Sequence, residues 1–97
     1  MNGKGENENR FQRLLLPNLE TGTTTLDRLP LGARGVVVEV DAAAQLAERL
    51  EDLGFVPGTL VVVRRRAPLG DPRVYELRGS QLCLRGNEAR AIRVTRG

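Results

Sequence analysis

The 97-residue chain has no histidine, no tryptophan, one cysteine and three aromatic residues, Phe11, Phe55 and Tyr75. Without histidine, the commonest general base and the commonest transition-metal ligand are both missing. The lone Cys83 excludes an intrachain disulfide and any cysteine-cluster metal site. So few aromatics require an aliphatic core and leave little on which a nucleic-acid base could stack. Lysine is nearly absent too. Lys4 is the only one, so a lysine nucleophile outside the N-terminal stretch is excluded. No glycine-rich loop of the phosphate-cradling kind occurs. No apolar run approaches the roughly 18 residues of a membrane span. Residues 1–12 are polar, without the apolar centre of a secretory leader. These absences together lead to the expectation of a cytoplasmic protein that is not an enzyme, uses no cofactor or metal site and does not insert into a membrane.

The charge that is present is unevenly spread. Of the 15 basic residues all but Lys4 are arginine, against 12 acidic ones, for a net charge of +3. Residues 24–60 hold three basic and six acidic side chains, whereas residues 61–97 hold nine basic and three acidic ones. A basic C-terminal half suits nucleic acid, an anionic membrane surface or an acidic protein. Arginine-rich usage can equally reflect composition or heat tolerance.

Residues 1–23 read as a disordered tail and residues 24–97 as a single domain. The opening MNGKGENENR has no apolar periodicity and cannot offset its ordering entropy. Phe11, Leu14, Leu15 and Leu16 form a short apolar cluster, suited to a fraying turn resting on the domain or to a docking segment. The TGTTT that follows reads as a flexible connector. Beyond it, Gly35–Val40 is β-branched and predicts a strand. Asp41 is a good N-cap for a helix over Ala42–Leu53, with Leu46, Leu50 and Leu53 on one face. Gly54 then ends the helix in a left-handed conformation, with Phe55 making the hydrophobic contact beyond it. Pro57-Gly58 suits a type II turn. Strands follow at Thr59–Arg66, Arg73–Arg78, Gln81–Arg85 and Ala91–Thr95, with Gly79-Ser80 as a Gly-first hairpin turn. Five short strands and one inserted helix predict an all-β class, a small barrel rather than a parallel sheet.

Arg49-Leu50-x-x-Leu53-Gly54-Phe55-Val56-Pro57-Gly58, then Ala67-Pro68-Leu69-Gly70-Asp71-Pro72, Leu82-Cys83-Leu84-Arg85, Glu88-Ala89 and Ile92-x-Val94 stand in this order. Together they resemble the FeoA family of small cytosolic proteins of bacterial ferrous iron import, over about residues 26–95. The resemblance implies a Src-homology-3-like β-barrel of about five strands with a helix after the first. It implies an accessory role, docking on and modulating the membrane GTPase-transporter FeoB, and a loose association with transition metals. The chain is too short for the helix-turn-helix half that accompanies this domain in metal-dependent repressors.

Candidate partner-binding residues follow from strand alternation and loop chemistry. In similar proteins the positions of Leu60 and Val62 are usually polar and those of Val61 and Val63 apolar. That implies that Val61 and Val63 face the core, leaving Leu60 and Val62 exposed or covered by a second chain, possible as a homodimer. Strong barrel twist would instead half-bury both sets. In the loop, Pro68 and Pro72 fix φ, Gly70 permits positive φ, and Asp71 can bond neighbouring backbone. Leu69 has no such duty and is either an anchor for a partner or folded over the barrel mouth. Alternation splits Arg64, Arg65 and Arg66 between two faces, as a solvated strand end. The candidate set is therefore Leu60, Val62, Arg64, Pro68, Leu69, Gly70 and Asp71. Cys83 should lie on the outer face, and Glu48, Glu51 and Asp52 read as solvated helix charge rather than as iron ligands. A nucleic-acid-binding barrel using the basic half is the alternative, weakened because Tyr75 alternates inward with Leu77.

Overall fold

The computed structural model describes residues 22–96. The apolar cluster Phe11–Leu16 and the rest of the expected tail before Gly22 lie outside them. Six strands are present: β1 (Thr23–Thr25), β2 (Arg34–Val40), β3 (Leu60–Arg66), β4 (Arg73–Leu77), β5 (Ser80–Leu84) and β6 (Ile92–Thr95). Helix α1 (Ala44–Asp52) lies between β2 and β3, and the single turn α2 (Gly86–Ala89) between β5 and β6. A 3-10 turn, Leu26–Arg28, follows β1. All pairings are antiparallel, in the order β1-β6-β2-β3-β4-β5. The ladder does not close among the described residues, so β1 and β5 are its edges.

Thr23–Thr25, read from sequence as connector, is a strand because β6 supplies its partner: Thr23 lies opposite Thr95 and Thr25 opposite Arg93. The Arg96 N–H also donates to the Gly22 carbonyl. This sixth strand accounts for the difference from the five expected.

The core is aliphatic, as the composition requires. Leu26, Leu29, Val37, Leu50, Val61, Val63, Leu77, Leu84, Ile92 and Val94 are buried in it with Phe55 and Tyr75. Burial alternates along β3, with Val61 and Val63 inside and Leu60 outside. Helix α1 begins at Ala44, later than expected. The Asp41 N–H is engaged by the Ala91 carbonyl at 2.7 Å, which prolongs the β2–β6 pairing past the predicted cap. Ala43 takes the cap position with no side-chain bond. Leu50 is the helix's buried anchor, Leu46 is half-buried, and Leu53 turns out to be exposed.

The helix ends as expected. The Phe55 N–H donates to the Leu50 carbonyl at 3.0 Å and Gly54 has φ +113°. Pro57-Gly58 forms the type II turn, closed by Thr59 N–H to Val56 C=O at 3.1 Å, with Gly58 at φ +94°. The β4–β5 hairpin turns one residue earlier than predicted. Arg78 and Gly79 both have positive φ, 54° and 81°, so the turn is type I′ and Leu77 pairs with Ser80.

Candidate functional site

Two surfaces emerge, at opposite ends of β3. The first is the outer face of β2, β3 and β4. Leu60 stands opposite Val36, and Val62 stands between Arg34 and Glu76. Leu60 is 47% exposed and Val62 half-buried, so an apolar ridge runs across the sheet between charged flanks. Beside it runs an open groove of about 460 Å³ lined by Pro57, Gly58, Thr59, Leu60, Val62 and Glu76. The Pro57-Gly58 turn that forms its wall is bonded into β2: Gly58 N–H donates to Val37 C=O and Val37 N–H to Thr59 C=O, both at 2.8 Å. A register shift between Val63 and Arg65 bulges β3 at Arg64. Arg64 then ion-pairs with Glu76, and Arg65 Nη2 donates to Gln81 Oε1 at 3.3 Å. Both partners belong to the outer face, so the bulge overrides the alternation that would have split these two arginines.

The second surface is the loop from Ala67 to Pro72. Ala67 N–H donates to Pro72 C=O at 2.9 Å, and Gly70 N–H to Ala67 C=O at 2.8 Å, with Gly70 at φ +93°. Pro68 and Leu69 therefore occupy the tip of a tight turn, and Leu69 is 96% exposed. It is not folded over the sheet. Asp71 Oδ1 does not bond its own neighbours but accepts from Gly86 N–H at 2.7 Å, tying the loop to α2. The Arg85 N–H donates to Glu88 Oε1 at 2.9 Å, which fixes that turn. This bond, reinforced by the Arg49 side chain, holds the Glu88 carboxyl below its ordinary pKa.

Behind the loop lies a polar concavity of about 280 Å³ lined by Asp27, Asp71, Arg73, Tyr75, Gly86 and Arg90. Burial pushes the Tyr75 phenol upward, partly offset by Arg73. Its partners are mostly satisfied internally: Arg73 Nη1 donates to the Leu29 carbonyl, and Asp27 accepts from Thr25 Oγ1 and lies 3.7 Å from Arg90.

The seven candidate residues thus do not form one site. Leu60, Val62 and Arg64 share the sheet face, while Pro68, Leu69, Gly70 and Asp71 share the loop. Leu60 stands roughly 20 Å from it along a seven-residue strand, with Arg64 about halfway. Sequence reasoning missed Val36 and Arg34 as members of the first surface. It also missed that Arg66 and Arg90 stand beside the second. Only strand register, set by residues distant in sequence, brings them there. Cys83 is exposed and free. Among the described residues no three carboxylate or thiol side chains converge as a metal cluster would require. The two described aromatics, Phe55 and Tyr75, are both buried, which leaves no stacking platform on the described surface. No described helix is long and apolar enough to cross a membrane.

A curled antiparallel sheet with one inserted helix, bearing open surface features, defines a small SH3-like β domain. The family model described as the FeoA domain matches residues 24–96, and the chain belongs to that family. A relative in Porphyromonas gingivalis, a fusion of Fe(2+) transport protein A with the Fe(2+) transporter FeoB, is 33% identical over 69 residues. That match covers 71% of this chain but only 8% of the fusion protein. Among solved structures, FeoA from Chlorobium tepidum is 41% identical with a TM-score of 0.70, covering 75% of this chain and 70% of that one. FeoA from Stenotrophomonas maltophilia, described as a prokaryotic SH3 domain protein complexed with zinc, is 36% identical with a TM-score of 0.66 and covers 73% and 88%.

Proposed function

We propose that this chain is a non-catalytic, cytoplasmic accessory module of Fe(II) import that docks on the cytosolic portion of a FeoB-type transporter and modulates it. Membership of the FeoA family and the fusion of the two proteins in a relative support the pairing. The observation that carries the docking surface is the Leu60–Val62 ridge. The fold does not need apolar side chains there, since Val61 and Val63 already fill the core beneath. The neighbouring groove offers a partner side chain the Pro57-Gly58 turn as a wall and a mixed lining in which Leu60 and Val62 stand beside Thr59, Glu76 and Arg78. Arg64, paired with Glu76, forms a charged rim that steers approach more than it holds.

The test is capture of the transporter's cytosolic portion by the full-length chain and its Leu60→Glu variant. Central apolar contacts contribute about 2 kcal/mol or more to binding, roughly thirtyfold in affinity. Because Leu60 is solvent-facing, the melting temperature should hold while capture is lost. Capture retained by Leu60→Glu with an intact fold would refute this surface as the docking site. A loss of self-association in the same variant, with transporter binding unchanged, would reassign the ridge to a homodimer.

A further inference from the structure

We propose that the loop from Ala67 to Pro72 is a contact for an anionic lipid surface, with Leu69 entering the headgroup layer and Arg66, Arg85 and Arg90 pairing with phosphates around it. This does not rest on transporter docking and uses the other end of β3.

Leu69 is the most exposed large apolar side chain of the described domain, at 96%, and it stands on a turn fixed by Pro68 and by Gly70 at φ +93°. A tip held in this way loses little conformational freedom on contact. Its surroundings are cationic. Arg66 lies at the loop's base opposite Arg73, and Arg73 in turn lies opposite Leu84, the residue before Arg85. Arg90 lines the same concavity as Gly70 and Asp71. Four guanidinium groups, those of Arg66, Arg73, Arg85 and Arg90, border the loop against three carboxylates, Asp27, Asp71 and Glu88. Asp71 is already held by the Gly86 N–H, and Glu88 by Arg49 and the Arg85 N–H. Among the described residues, neither Arg66 nor Arg85 enters an ion pair, and both are exposed.

One aliphatic tip ringed by arginines is poor material for the centre of a protein interface, which is depleted of charge and gathers apolar neighbours. Only the exposed Pro68 ring adjoins Leu69 as apolar surface, and the exposed Asp71 beyond Gly70 is charged. A lipid interface needs no shape complement, accepts a single buried side chain and offers phosphates that guanidinium groups bind bidentately. The sequence-based expectation of no membrane insertion concerned spanning segments, and a shallow peripheral contact is compatible with it.

The test is co-sedimentation of the full-length chain with vesicles of phosphatidylcholine, with or without phosphatidylglycerol. Binding is expected only with the anionic lipid, weakening as salt rises. Leu69→Ala should weaken it about tenfold, the value for a side chain half immersed at about fourfold per buried methylene. Arg66→Gln and Arg85→Gln should each weaken it about fivefold. Leu60→Glu, on the sheet face, should leave it unchanged, and melting temperatures should match throughout. No sedimentation with anionic vesicles overturns the proposal. So does binding that falls with the arginine changes but ignores Leu69→Ala, which marks diffuse charge attraction. Vesicle binding absent while Leu69→Glu abolishes transporter capture would make the loop a protein contact instead.

Discussion

Replacing Gly35 by alanine should damage this fold more than any other single methyl addition to a described glycine. A Cβ at Gly35 would stand 2.2 Å from the Thr95 carbonyl oxygen and 3.2 Å from Val94 Cβ and Cγ2. The offending atom is backbone, so no side-chain rotation relieves it. Reaching an ordinary carbon–oxygen separation of about 3.3 Å requires β2 and β6 to part by roughly 1 Å. That movement breaks the Val36 N–H bond to Thr95 Oγ1, now 3.0 Å, and strains the adjoining Val37–Val94 pair. Overpacking costs about 1–3 kcal/mol and the lost bond about 1 kcal/mol more. The sum, about 3 kcal/mol, is a large part of the roughly 4–11 kcal/mol that a domain of this size possesses. At about 4–8 °C per kcal/mol, the melting temperature should fall by roughly 10–25 °C. Circular dichroism melts and urea titrations of the full chain measure this. Gly32→Ala is the control. Its φ is +86° but nothing lies within 4 Å of the added methyl, so it should cost only about 1 kcal/mol. A Gly35→Ala protein as stable as Gly32→Ala would refute the close approach of β2 to β6.

Two further outcomes are expected. A chain beginning at Gly22 should melt within about 2 °C of the full one, whereas one beginning at Leu26 loses β1 and should melt about 5 °C or more lower. Equal melting of the two would show that β1 adds nothing. Glu88, whose folded pKa is lowered from 4.5, contributes stability that is fully present above that pH and is lost as pH falls through the folded value. Glu88→Gln should therefore be the less stable protein at neutral pH, with the gap narrowing in melts taken at progressively lower pH. A gap that stays constant down the acid limb would mean that the carboxylate is not what secures α2.

Local chemistry made much of this molecule readable. Gly54-Phe55 and Pro57-Gly58 announce their conformations because a positive φ and a fixed φ are properties of single residues. Leu60 to Val63 are all apolar, so period two alone does not say which side of β3 is inside; the resemblance implies Val61 and Val63, and the structure buries those two. What failed depended on partners far along the chain. Three threonines look like a linker until β6, some seventy residues on, supplies their hydrogen bonds. Asp41 is a good helix cap in isolation, but its bond to the Ala91 carbonyl keeps it in the β2–β6 ladder, two residues short of the cap position at Ala43. Arg78 adopts positive φ with no sequence signal, so the hairpin turns one residue earlier than Gly79-Ser80 predicts. The candidate surfaces follow the same division. Leu60 and Leu69 could be picked out as apolar residues without structural duty. Their separation onto two surfaces, and the arginines gathered around the loop, required the β3–β4–β5 register.

The pairing of Thr23 with Thr95, closed by the bond between Arg96 and Gly22, brings the entry and exit of the folded segment together at a single strand spacing of about 5 Å. A segment whose ends meet behaves as a cassette. It can be joined to a host polypeptide at either end, or inserted into a host loop through both, without stretching the host or closing a large loop. The graft point lies on an edge strand and its neighbour, with β2 between it and the β3 ridge. A sheet tied at its own seam can therefore travel between polypeptides with its working surfaces unaltered, and the only part that must adapt is the few residues of linker outside the seam.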